Sequence, residues 1–197
     1  MKLQMSLIIA VLWVAVGCSP SAAPTPEPAI ATAEATAATT NNSNGSVITY
    51  VDKKSGIVFD YPTGWSILEP AADDAVIYSY SIASYDMTNT SGLGKESTSG
   101  VPPGQTKIDI SFYGADETPD SARRTVQGDV DSGFAIVTKE ETRTAPDGSP
   151  AYYYEINGRL GGSARVIYTR INGHTVGVVA YGSGADFEAV VKSLRGA

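Results

Sequence analysis

The chain has 197 residues, with 14 Lys and Arg against 21 Asp and Glu, a formal charge of −7, one His and one Cys. That is enough for one ordinary domain. A single Cys excludes an internal disulfide and a thiolate metal cluster, a single His excludes a multi-histidine metal site, and the acidic balance with scattered basic residues argues against a nucleic-acid partner.

Met1 to Met5 carries one positive charge, and Leu7 to Val16 is an apolar stretch without a charge, the layout of an export signal. It is roughly half of the ~20 residues that a spanning helix needs. It ends in Ala15-Val16-Gly17-Cys18, small residues before a Cys. This resembles the bacterial lipobox, and the resemblance implies acylation of Cys18 and cleavage after Gly17. Palmitate-like chains there would anchor the protein, since one chain binds marginally while two hold stably. In an oxidising compartment acylation also removes an otherwise unpaired thiol.

Residues 19–46 hold 8 Ala, 5 Thr, 4 Pro and 4 Ser, with Ile30 as the one large apolar side chain. Such a segment cannot bury enough apolar surface to offset its ordering entropy, so it is expected to be a disordered tether. Its 28 residues reach about 95 Å stretched and about 30 Å as a coil. The expected organisation is therefore a signal at 1–17, a lipidated Cys and tether at 18–46, with Asn41 to Ser46 as the boundary, and a domain at 47–197.

In the domain, alternation predicts strands through Ile57, Phe59 and Tyr61, through Val76 to Ile82, and through Ile108 to Phe112. Four more strand-like runs follow at Ala135 to Thr142, Ala151 to Asn157, Ala164 to Ile171 and Thr175 to Tyr181. Their separators, Pro146 to Pro150, Asn157-Gly158 with Gly161-Gly162, and Asn172-Gly173, are short turn sequences, which predicts an antiparallel meander. Thr118-Pro119-Asp120 opens a predicted helix to about Val130. Phe187, Val190, Val191 and Leu194 fall at helical spacing in a second, with Ser183 and Asp186 as a capping box and Lys192 and Arg195 in its last turn. The aperiodic, Gly-, Ser-, Thr- and Pro-rich stretch from Asp86 to Gln105 is the first place to look for a binding edge.

Ser55-Gly56-Ile57-Val58-Phe59-Asp60-Tyr61-Pro62-Thr63-Gly64-Trp65 resembles the opening hairpin of the Mog1/PsbP-like superfamily, in which Tyr-Pro-x-Gly-Trp recurs. The Gly148 to Tyr152 strand, a strand ending at Tyr181 and a helix from Asp186 to Leu194 are similar to the same family. The resemblance implies an α+β fold, an antiparallel sheet of about six to seven strands with helices on its faces, and it implies no catalytic residues. Photosynthetic members assist a manganese–calcium centre, and no metal-ligand motif transfers onto this chain. The residues of the motif read structurally as well: Pro62 biases Tyr61 towards extended geometry, Gly64 permits a positive φ, and Trp65 re-enters the sheet as an anchor.

No Gly-x-Ser-x-Gly elbow, Ser-x-x-Lys pair or His-Glu-x-x-His helix occurs. His174 reads as a hairpin residue, because no motif supplies it with a nucleophile or an orienting acid. Asp129, Asp131 and Glu140 match three positions of a calcium loop, but Gly133 and Phe134 fail its demanding middle. The acid pairs Asp73-Asp74 and Asp116-Glu117 read as solvated charges before they read as a glycosidase couple. Tyr is abundant, 11 in all, and in a strand Tyr152 and Tyr154 share a face while Tyr153 points away.

The expectation is thus a lipid-anchored, extracytoplasmic α+β domain on the cell or outer membrane, not an enzyme, without cofactor or metal. Its role is binding or assembly with an envelope protein or glycan ligand. Cys18 is the lipidation site, and Tyr152, Tyr154 and Trp65 are candidate ligand-binding residues. The alternatives are a cell-surface glycan hydrolase using carboxylates and a calcium-dependent adhesion module.

Overall fold

The computed structural model describes residues 38–42, 45–70, 77–88, 100–114, 116–158 and 162–197. The signal segment, Cys18, most of the tether, Asp73-Asp74 and the middle of the Asp86 to Gln105 stretch lie outside the described residues. Strand pairing begins inside the segment read as tether: β1 (Ala38–Asn42) runs antiparallel to β2 (Gly45–Asp52), with Ala38 opposite Thr49 and Asn42 opposite Gly45. Of the expected boundary run, Asn41 and Asn42 belong to β1, and Gly45 and Ser46 to β2. Composition hid β1 because a two-stranded pairing is made by backbone groups and asks for no apolar side chain on the outer strand.

β3 (Ile57–Pro62) pairs with β2 on one side and with β11 (Arg195–Gly196) on the other, giving a four-stranded sheet in the order β1-β2-β3-β11. The remaining strands are β4 (Ser66–Leu68), β5 (Tyr78–Ala83), β6 (Thr106–Phe112), β7 (Ala135–Thr144), β8 (Pro150–Gly158), β9 (Ser163–Ile171) and β10 (His174–Gly182). They form a seven-stranded sheet in the order β4-β5-β6-β10-β9-β8-β7. Every pair in it is antiparallel, and β7 to β10 form the expected meander. The α+β antiparallel architecture is as predicted, with a second, smaller sheet beside the one anticipated.

Tyr61 to Trp65 makes a corner between the sheets and not a hairpin within one. Gly64 sits at φ 90, Trp65 N–H donates to the Pro62 carbonyl at 3.2 Å, and Thr63 N–H donates to the Ser46 carbonyl at 3.0 Å. The positive φ that glycine tolerates lets the chain leave β3 and enter β4 in the other sheet.

Alternation sorts each strand between two environments. In β6, Thr106, Ile108, Ile110 and Phe112 are buried while Lys107, Asp109 and Ser111 are half-exposed. The buried set joins Phe59, Tyr80, Val178 and Phe187 in the main core, between the two sheets and α3 (Phe187–Ser193). The opposite face of the seven-stranded sheet carries a smaller cluster, in which Ala122 and Val126 pack on Tyr154, Val166 and Tyr168.

The helix predicted from Thr118 is two helices, α1 (Pro119–Ala122) and α2 (Arg124–Asp131). Thr118 caps the first as expected, accepting the Ser121 N–H at 3.1 Å while Ser121 Oγ accepts the Thr118 N–H at 2.9 Å. At Arg123 the ladder tightens, because Val126 N–H bonds to the carbonyl three residues back at 3.0 Å, and the helix restarts. The capping box predicted for α3 does not form. Asp186 adopts φ 64 and makes no side-chain cap, and Ser183 Oγ bonds to Thr106 Oγ1 instead. Arg195 lies beyond the helix, in β11, where it pairs with Asp60 at 3.2 Å.

Candidate functional site: a polar groove under the short helices

Tyr152, Tyr153 and Tyr154 follow one another on β8, so the strand pleat sends the first and third to one face and the second to the other. Tyr154 is 5% exposed beneath α1 and α2, and Tyr152 is half-buried at the margin of the same cluster. The Arg123 guanidinium lies 4.5 Å above the Tyr152 ring, within cation–π range. The same guanidinium bonds to Asp120 at 2.9 Å and approaches Glu140 on β7 at 3.8 Å.

Asp120, Arg123, Glu140 and Tyr154 line a groove of about 260 Å³, with Arg124 and Gln127 as further polar walls and Val126 and Val137 as apolar ones. Hydrogen bonding to Tyr154 and then to Asp120 holds the Arg123 guanidinium protonated well beyond its usual range. Burial raises the Tyr154 phenol, with opposing and smaller effects from Arg123 and Glu140 beside it. Two arginines and two carboxylates thus face one shallow space, and Arg123 is already engaged by both carboxylates. Such a wall offers hydrogen-bond donors and acceptors to a polar surface. It does not present an activated nucleophile with an orienting base.

Trp65 is not part of this groove. It is half-buried and packs against the main core, on the other face of the seven-stranded sheet. The structure therefore brings together Tyr152 and Tyr154 of the predicted trio and separates Trp65 from them. The Arg123 guanidinium covers one face of the half-buried Tyr152 ring.

Tyr153, on the core face, has Arg143 at 3.8 Å over its ring and donates its hydroxyl to Glu155 at 2.8 Å. Burial, followed by the bond to Glu155, pushes its phenol up to about 12. Arg143 continues to Glu188 of α3 at 3.1 Å, so this cluster fastens the helix to the sheet.

One polar centre was missed from sequence. Asp52, at the end of β2, is 3% exposed and accepts from Ser55 N–H at 2.9 Å, Tyr78 OH at 2.6 Å, Tyr80 OH at 2.9 Å and the Ser55 hydroxyl. Burial alone would raise its carboxyl, but the bonds from Ser55, Tyr78 and Tyr80 outweigh it and hold the group below the usual carboxylate range. Burial, and then the bond to the same carboxylate, push both phenols far up. Because β2 and β5 belong to different sheets, Asp52 ties the two layers together. The Asp-x-x-Ser spacing at 52 and 55 is the one local signal of this centre, a turn, while the two Tyr partners are supplied by tertiary packing.

The remaining sequence candidates are dispersed. Asp131 accepts from Gln127 at 2.8 Å on α2, whereas Glu140 faces Arg123 across the groove. Among the described residues no three His, Cys, Asp or Glu side chains come together as a metal site. Glu117 contributes its backbone carbonyl to Thr175 Oγ1 at 2.6 Å, and His174 opens β10 opposite Ile171 in the Asn172-Gly173 hairpin. Cys18 and the Asp73-Asp74 pair lie outside the described residues.

No family model and no curated protein matches the chain. Among solved structures it is similar to the solution structure of cyanobacterial PsbP (CyanoP) from Synechocystis sp. PCC 6803, at 17% identity over 80% of this chain and 98% of that one, with a TM-score of 0.49.

Proposed function

We propose that this is a lipid-anchored extracytoplasmic protein whose domain has a non-catalytic binding or assembly role. The observation that carries the reading is the order of segments in the sequence: an apolar run, Ala15-Val16-Gly17-Cys18, a tether rich in Ala, Thr, Pro and Ser, and then the folded domain. Acylation of Cys18 holds the chain at a membrane. The tether lets an acidic body stand away from anionic lipid. Engagement of Arg123 by Asp120, Glu140 and Tyr152 supports recognition by the groove over proton transfer within it. An envelope protein or a glycan is the class of ligand that fits a polar groove at this location.

The test is metabolic labelling with a palmitate analogue, joined to membrane fractionation of the native chain and of Cys18→Ala. Label and membrane association in the native chain, both lost in the variant, are the expected result. A native chain that takes up no label, or a variant that keeps it, overturns the anchor. Gentle crosslinking on intact membranes then reads the role. One protein enriched with the anchored form and lost with Cys18→Ala identifies an assembly partner. Glycan cleavage by the purified protein would overturn the non-catalytic reading.

A further inference from the structure

We infer that the outer edge of β7 is a self-association surface, on which a second copy of this chain pairs antiparallel with its registry centred on Thr142. β7 is the longest strand at ten residues and ends the order of the seven-stranded sheet, with β8 on its inner side and no strand beyond it among the described residues. An unpaired edge of that length presents free N–H and C=O groups to any extended chain, and charges along such an edge normally repel it. Here the charges leave one partner open.

Two copies of an antiparallel edge are related by a two-fold axis perpendicular to the sheet, so opposed side chains share a face and one residue lies opposite itself. Centring on Glu140 sets Glu against Glu at the axis although Lys139 then faces Glu141 on each side, and centring on Glu141 sets both Glu against Glu and Lys139 against Arg143. Centring on Lys139 or Arg143 sets like cations together. Centring on Thr142 sets Thr against Thr at the axis, Glu141 against Arg143 on each side of it, and Glu140 against Thr144 beyond. Opposite charges and Thr pairs across strands are favourable, and like charges are not. Of the registries centred on residues 139 to 143, the one centred on Thr142 alone sets opposite charges together with no like-charge pair.

The local geometry bounds the same segment. The registry of β7 on β8 shifts between Val137 and Lys139, which ends the regular ladder on that side. Pro146, lacking an N–H, stops it on the other. Thr142 and Thr144 are exposed, and Glu141 and Arg143 already lie 3.1 Å apart on one face. Phe134 and Ile136, at 62% and 68% exposure, stand just before the pairing segment and would gain cover beside the second copy. A ladder this short buries less than the roughly 1,200 Å² of a stable complex, so the association is weak and reversible.

Sedimentation equilibrium of the full chain in density-matched detergent, from micromolar to several hundred micromolar, tests it. A reversible monomer–dimer equilibrium is expected, with the dissociation constant raised at least tenfold by Thr142→Lys and changed less than about threefold by Thr142→Val. Glu141→Lys, which places a cation against the partner's Arg143, must weaken association as well. Circular dichroism and Tm report whether each variant is folded, and Thr142 is exposed, so its substitution leaves the fold intact. A chain that stays monomeric over the whole range overturns the proposal, and so does a dimer indifferent to Thr142→Lys and Glu141→Lys.

Discussion

The two faces of the seven-stranded sheet bury aromatic residues in different company. On one, Tyr50, Phe59, Tyr80 and Phe112 interlock at ring centroid distances of 5.1 to 5.9 Å, with a second sheet as the opposing layer. On the other, Tyr154 and Tyr168 lie under α1 and α2, helices of 4 and 8 residues. A facing sheet supplies a row of side chains from each strand and closes a deep core. Two short helices supply Ala122 and Val126, so the cover is thin and the margin stays open to Arg123 and its carboxylates. The groove exists because that face is under-covered.

The contrast can be broken most forcefully at Phe59, which is fully buried in the thick core. Phe59→Ala should lower unfolding free energy by about 3–5 kcal/mol in urea denaturation. A loss below about 1 kcal/mol would mean that the two sheets do not share one core.

Asp52→Ala is expected to cost about 2–4 kcal/mol, because it leaves the hydroxyls of Tyr78 and Tyr80 without their acceptor in a buried site. The effect has a pH signature. The folded carboxyl lies below its ordinary value of 3.8, so its contribution is fully present above that value and is lost as pH falls through the folded one. The stability gap between native chain and variant should therefore stay level from about pH 7 to about pH 5 and close as pH falls below the ordinary value. A gap that widens on acidification would show that Asp52 is held neutral.

The smallest effect belongs to the thin face. Thr118→Ala removes the cap of α1 and should cost about 1 kcal/mol, read as a modest Tm shift with the main core intact. A loss as large as that of Phe59→Ala would make the helical face an equal partner in stability and sink the comparison.

Much of this architecture could be read from residue order. Alternation locates β3, β5 and β6, the last with Ile108, Ile110 and Phe112 on a shared buried face, while the meander is located by apolar runs between turn sequences, since β9 and β10 are buried on both faces. It could not locate β1, whose pairing is a matter of backbone, nor β11, a two-residue strand held by β3. The break at Arg123 has no local signal, since no Pro or Gly marks it and the change lies in hydrogen-bond spacing. At the site, the strand pleat gave the shared face of Tyr152 and Tyr154. The cation over Tyr152, the separation of Trp65 and the tyrosines around Asp52 depend on which elements meet in space, and local sequence carries no record of that.

β11 sets Arg195 opposite Val58 and Gly196 opposite Ile57, and the Ala197 N–H reaches the Gly56 carbonyl at 2.8 Å. A chain made in one direction therefore presents β3 early and must hold its edge open until the stretch containing Arg195 has emerged. During that interval an apolar strand is a target for mispairing and for proteases. Closure of so long a loop is also slow, because non-local contacts are rewarded only after the intervening chain is ordered. The small sheet is thus the last part to become resistant to digestion, and a chaperone that shields β3 would act in that window.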